Sequence, residues 1–276
     1  MSIFEAILLG LIQGITEFLP VSSSGHLVLF QKILGLSEPA LFFDTMVHVG
    51  TLAAVFVVLW KDIQDILRRI IQPLTFYLIL ATLPAVIIAL ACKDQIEAAF
   101  ASGSFLGFAF LITAALLTVS ELLSRRGGTG DLRPKVLKGK DEIRWPDALL
   151  IGILQGVAII PGVSRSGATL SGALSRKLNR DFAARFSFLL SIPAILGALV
   201  LQVKDLVDPT EGAAVSGGIG ALPLIAGTLT AAVVGFFSVR LMLKIVRERS
   251  LLGFALYTGI LGVLVLIDQF GTHLFF

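Results

Sequence analysis

The sequence predicts an all-α polytopic integral membrane protein with an inverted-topology repeat, each half one re-entrant helical hairpin plus three transmembrane helices. Three observations predict it. The 276 residues are 56% hydrophobic and only 15% charged, with mean hydropathy +0.93, whereas soluble domains carry about 25% charged residues. Six apolar segments match the roughly 20 helical residues that cross about 30 Å of hydrocarbon. A stretch near the N-terminus also recurs in the second half of the chain. This composition excludes an ordinary soluble enzyme and a disordered chain. A net charge of only +3 argues against nucleic-acid binding. A single cysteine, Cys92, excludes an intramolecular disulfide and a Cys-based metal cluster.

The first apolar segment, residues 3–19, has no basic residue before it. The first is Lys32, and Glu5 and Glu17 interrupt the run, so it is expected to stay in the fold rather than leave as a signal peptide. The breaker Pro20-Val21-Ser22-Ser23-Ser24-Gly25 follows, and then a piece, 26–36, too short to cross. Together they read as a hairpin that enters the membrane and returns, with irregular backbone tolerated where protein or a wet cavity surrounds it. Spans are predicted at 41–60, 74–92 and 103–123, and residues 124–146 form a basic linker. Residues 147–160, the breaker Pro161-Gly162-Val163-Ser164-Arg165-Ser166-Gly167 and another short piece make the second hairpin. Spans at 182–203, 218–239 and 251–270 complete the chain, with Pro84 and Pro193 predicted to kink theirs.

The hairpins are copies. Glu5-Ala6-Ile7-Leu8-Leu9-Gly10-Leu11-Ile12-Gln13-Gly14 aligns with Asp147-Ala148-Leu149-Leu150-Ile151-Gly152-Ile153-Leu154-Gln155-Gly156, an offset of 142. The same offset joins Val21-Ser22-x-Ser24-Gly25 to Val163-Ser164-x-Ser166-Gly167, and Lys61-Asp62-Ile63 is echoed by Lys204-Asp205-Leu206. Repeat one is residues 1–123 and repeat two 147–276. Three spans per half is odd, so the second half is expected upside down, with the broken helices meeting near the midplane. Basic residues set the orientation: 18 of the 22 Lys/Arg fall on one predicted face, against Lys32, Lys93 and Lys204 on the other. The rich face is the cytoplasmic one, which places both termini outside.

Chemistry concentrates at the breaks. Gln13 and Glu17 share a helix face before the first break and His26 follows it, while Arg165 lies in the second at the position equivalent to Ser23. Facing breaks would give Glu17, His26 and Arg165 one polar pocket. Arg165 alone in hydrocarbon would cost at least ~2.5–3.5 kcal/mol, so a counter-ion or anionic ligand is expected. Each Ser-x-Ser-Gly leads into a short helix whose N-terminus suits phosphate, and the Arg165 fork adds planar donors. Helix capping is the structural alternative for some of these serines. Asp44 and His48, also i, i+4, are second-tier candidates whose simpler role is structural.

The segment Gln13-Gly14-Ile15-Thr16-Glu17-Phe18-Leu19-Pro20-Val21-Ser22-Ser23-Ser24-Gly25-His26 resembles the first signature of the undecaprenyl pyrophosphate phosphatases, the bacitracin-resistance family. Pro161-Gly162-Val163-Ser164-Arg165-Ser166-Gly167-Ala168-Thr169 resembles the second. The family's first motif opens with Glu or Gln, and this chain carries the Gln variant at Gln13. The resemblance implies a plasma-membrane enzyme that hydrolyses undecaprenyl diphosphate to the monophosphate carrier of peptidoglycan synthesis. It implies a divalent cation, Mg2+ or Ca2+, expected at Glu17 and Gln13, and a catalytic set of Glu17, Ser23, His26 and Arg165. Gln13, Ser22, Gly25, Ser164, Ser166 and Thr169 match the surrounding substrate-binding positions. The nucleophile stays open among Ser23, His26 and water, with Ser23 and His26 as its base slightly preferred. The expected partners are the lipid diphosphate and membrane lipid, with a homodimer as an open assembly. The site is expected to open to the outer face. A secondary transporter or lipid flippase with a midplane anion site is the rival class, because inverted repeats and broken helices serve transport as well.

Overall fold

The computed structural model describes residues 1–36, 41–125, 137–207 and 219–276. Residues 126–136 of the predicted linker, the segment before the first span and the start of the fifth span at 218 lie outside them. So do the side chains of Asp205 and Leu206 in the Lys204 echo.

The described residues are helical throughout apart from turns and one isolated bridge, Lys138 to Leu178. The first hairpin is α1, Ile3–Thr16, and α2, Ser23–Ile33. A capping box starts α1: the Glu5 N–H donates to Ser2 Oγ at 3.2 Å and the Ser2 N–H to Glu5 Oε2 at 2.6 Å. At 1.5 Å per residue neither helix reaches across hydrocarbon. The second hairpin is α8, Trp145–Val157, and α9, Arg165–Ser175.

Long helices occupy the predicted spans: α3 Leu41–Val58, α5 Pro73–Ala91, α7 Leu106–Arg125, α10 Arg180–Val207, α11 Ala221–Glu248 and α12 Leu252–Ile267, which ends in a π turn, Asp268–Thr272. Five are long and apolar enough to cross a membrane unaided, and α3 makes a sixth if joined to α4, Trp60–Arg68, from which it bends by 78°. The protein is therefore polytopic. Both α5 and α10 continue as helix through Pro84 and Pro193. Two helices replace predicted loops: α4, with Ile63 buried, and α6, Lys93–Ser102.

Glycines set the closest helix approaches. A Cβ at Gly10 would run into the Gly227 carbonyl of α11, and one at Gly14 would sit 2.7 Å from Val234. In the second half a Cβ at Gly152 would lie 2.6 Å from the Ala81 carbonyl of α5, and one at Gly156 2.7 Å from Ile88. So α1 packs on α11 and α8 on α5, while α7 pairs with α12 and α3 with α11.

The two ends of the bundle differ. At one end Gln269 Nε2 donates to the Gly103 carbonyl at 2.8 Å, and Lys32 lies 4.9 Å over the Phe276 ring. Acidic side chains tie down the opposite end. Asp147, fully buried, accepts from Lys138 at 2.9 Å and Arg176 at 2.6 Å, which brings the start of α8 to the exit of α9. There too Glu121 pairs with Arg180 at 2.5 Å, and Asp62 with Arg185 at 2.8 Å.

Candidate functional site

The two breaks meet. Ser166 Oγ of the second donates to the Leu19 carbonyl of the first at 3.0 Å, and the Gly162 N–H donates back to Ser24 Oγ at 3.4 Å. Within each break the first serine caps its helix: the Gly25 N–H donates to Ser22 Oγ at 3.1 Å and the Gly167 N–H to Ser164 Oγ at 3.0 Å. Capping thus accounts for Ser22 and Ser164, and cross-bracing for Ser24 and Ser166. Gly25 has no room for a side chain, since a Cβ there would sit 2.8 Å from Phe110.

Glu17 is the hub, with a side chain 4% exposed. Arg165 Nη2 donates to its Oε1 at 2.8 Å. Its Oε2 accepts from Ser23 Oγ at 2.6 Å and Gln13 Nε2 at 3.0 Å, and His48 Nε2 lies 3.4 Å away. The counter-ion expected for Arg165 is therefore Glu17, 148 residues away in sequence. Arg165 Nη1 also donates to the Ser187 carbonyl at 3.3 Å, and Thr169 shares a 2.6 Å hydrogen bond with Ser187 Oγ. Among the described residues two of the five guanidinium N–H groups are used this way, which leaves fork donors for an anion.

A cavity of about 350 Å3 opens over this hub. Its polar floor comprises Glu17, Ser23, Ser24, Asp44, His48, Ser164 and Arg165. Its walls are apolar, from Ala89 and Ile96 on one side to Ile195 and Leu201 of α10 on the other, with Lys93 also lining it. The first residues of α2 and α9, Ser23 and Arg165, both face it, so two helix N-termini converge on one volume.

The structure places the two histidines differently from the predicted pocket. His48, the second-tier candidate, lines the cavity. Its Nδ1 lies 2.6 Å from the Asp44 carbonyl, which can only accept, so Nδ1 carries a proton and Nε2 faces Glu17. His26 is buried outside the cavity lining. Its Nδ1 donates to the Ser22 carbonyl at 2.6 Å, and its Nε2 accepts from the Tyr257 hydroxyl at 2.8 Å. Sequence reasoning missed Tyr257, Ser187 and Lys93. Tyr257 left one signal, a phenolic hydroxyl on an apolar helix in a chain with 20 Phe and 2 Tyr.

Among the described residues no group of three or more His, Cys, Asp or Glu forms a metal cage. The oxygen donors at the hub nevertheless suit a hard cation. Glu17 supplies a carboxylate and Ser23 a hydroxyl, and Gln13 Oε1 is buried without a hydrogen-bond partner. Magnesium sites of this kind use one or two protein oxygens and complete the shell with substrate phosphate and water.

A family model described as bacitracin resistance protein BacA matches residues 6–264. Relatives named undecaprenyl-diphosphatase align over almost the whole of both chains. One from Carboxydothermus hydrogenoformans is 45% identical over 98% of each chain, and one from Methanosphaera stadtmanae 38% identical over 97% of this chain and 98% of its own. An undecaprenyl-diphosphatase 3 from Bacillus cereus is 43% identical over 98% of each chain.

Proposed function

The chain belongs to the bacitracin resistance protein BacA family, and from that premise we propose that it hydrolyses undecaprenyl diphosphate at the meeting point of its two breaks. It is a multi-pass membrane phosphatase whose product, undecaprenyl phosphate, returns to cell-wall synthesis, and its activity belongs with bacitracin resistance. The observation that carries the site assignment is the Glu17 hub, where a serine, a carboxylate and an arginine from both halves converge under an open cavity.

The polar floor takes the diphosphate and the apolar walls take the start of the polyprenyl tail. Arg165 and the N-termini of α2 and α9 hold the phosphate oxygens, where the transition state places charge. Ser23 Oγ attacks the terminal phosphorus and gives its proton to Glu17 Oε2, already its hydrogen-bond acceptor. The bridging P–O bond breaks, and undecaprenyl phosphate departs with the bridging oxygen. Glu17 passes that proton to the departing phosphate; water then attacks the phosphoserine and gives a proton to Glu17, which returns it to Ser23 Oγ as inorganic phosphate leaves. Glu17 and Gln13 would hold a magnesium or calcium ion, which when bound supplies positive charge against the diphosphate oxygens. His48 supports Glu17 from the cavity side.

The architecture belongs to the same reading. The halves are inverted repeats: glycines 142 residues apart, Gly10 with Gly152 and Gly14 with Gly156, make matching close contacts with α11 and α5. The cavity lining includes Lys93 and Leu201, next to the end that is poor in basic residues, which supports an outward-facing site. Purified protein is expected to release phosphate from undecaprenyl diphosphate with a divalent cation, and to stop on chelation. Enzyme quenched during turnover should carry phosphate on Ser23. Substantial turnover by Ser23→Ala would sink the serine route and leave a directly attacking water.

A further inference from the structure

Ser22 adopts φ +73° and ψ 96°, a left-handed conformation that a residue with a Cβ rarely takes. Something must hold it there, and His26 is the side chain bonded to its carbonyl. The Ser22 carbonyl accepts from both the His26 backbone N–H at 3.1 Å and its Nδ1 at 2.6 Å. The imidazole is fixed in turn. Tyr257 donates to Nε2 at 2.8 Å and stacks on the ring with 5.8 Å between centroids and 12° between planes, and Phe110 meets it edge-on at 5.4 Å. The second break serves as an internal control. There Ser164, equivalent to Ser22, has an ordinary φ of −70°, and Ala168 stands where the first break has His26. The strained turn and the imidazole occur together, in the break that presents Ser23.

We propose that His26 is a positioning residue, locked by Tyr257, that holds the Ser22 peptide left-handed and so aims the Ser23 hydroxyl at Glu17, and that it takes no proton from Ser23. The inference rests on the phosphatase reading and deepens it. Nδ1 is spent on the Ser22 carbonyl and Nε2 on the Tyr257 hydroxyl, so neither nitrogen offers Ser23 an acceptor. The Ser23 hydroxyl already donates to Glu17 Oε2 at 2.6 Å.

Asparagine and glutamine place an amide where Nδ1 and Nε2 stand, respectively, and so separate the two roles. In phosphate release from undecaprenyl diphosphate, His26→Asn should keep kcat within about tenfold of wild type, with unchanged KM and pH profile. His26→Gln and His26→Ala should both fall by about a hundredfold or more. Ser22→Gly in the His26→Ala background should recover part of the loss, because glycine adopts positive φ without the clamp. No such backbone change can replace a missing base. Tyr257→Phe should lower kcat severalfold, and it keeps the imidazole should the His26 variants not fold. Folded His26→Asn as inactive as His26→Ala overturns the proposal, as does Tyr257→Phe with kcat unchanged or raised. Wild type that releases no phosphate overturns the phosphatase reading and this inference together, whereas the variant pattern overturns this one alone.

Discussion

Glu17 binds side chains from four helices and is almost fully buried, which makes its partners matter for stability as well as for chemistry. Removing one partner of a buried pair leaves an uncompensated charge and costs roughly 3–5 kcal/mol. Arg165→Ala should therefore lower the thermal midpoint in detergent, while Glu17→Gln combined with Arg165→Ala should regain most of it and stay inactive. A double variant no more stable than Arg165→Ala would show that the pair is not what holds the breaks together. Much of this site was legible in the sequence, because Glu17 stands just before one breaker, Ser23 and Arg165 lie within the two, and ionisable groups at such depth are costly. The roles of His48 and Tyr257 were not. His48 reaches Glu17 only because α3 packs beside α1, and Tyr257 reaches His26 from 231 residues away.

At the scale of elements, the hairpins depend on backbone approaches that leave no room for a methyl group. Ala at Gly10 would clash with the Gly227 carbonyl and Ala at Gly152 with the Ala81 carbonyl at 2.6 Å, and backbone cannot yield as a flexible side chain does. Each substitution should cost about 1–3 kcal/mol, read as a lowered thermal midpoint. Gly253→Ala, where nothing lies within 4 Å, is the neutral control. The hairpins were legible because their apolar runs reach the breakers at Pro20 and Pro161 after too few residues to cross. The helices α4 and α6 were not, because their charged residues at 61–68 and 93–97 read as loop. In α4 helical spacing turns Ile63 inward and leaves Lys61 and Arg68 outside, a pattern that needs the packed neighbour to recognise.

For the molecule as a whole, the proposed orientation rests on charge asymmetry, and ion pairs build the basic end into the fold. The basic end is held by Asp62, Glu121 and Asp147, while the other end closes on Lys32, Gly103 and Phe276. In a Cys92→Ser background, Lys32→Cys should react with an impermeant thiol reagent from outside the cell and Arg247→Cys only after the membrane is opened. The reverse pattern would invert the proposed topology. The proposed orientation rests on a count of basic residues in loops, which needs no folded neighbour. The joining of the breaks into one site needs both halves folded, and it is the central claim. The most direct test is a double-mutant cycle on phosphate release across the break, with wild type, Glu17→Gln, Arg165→Ala and the double variant. If the two residues act as one unit, each single change should cost about 10²–10³ in kcat/KM, and the double variant should be little worse than the poorer single. Losses that multiply, or a wild type that releases no phosphate yet carries the lipid diphosphate across a liposome bilayer, would contradict it.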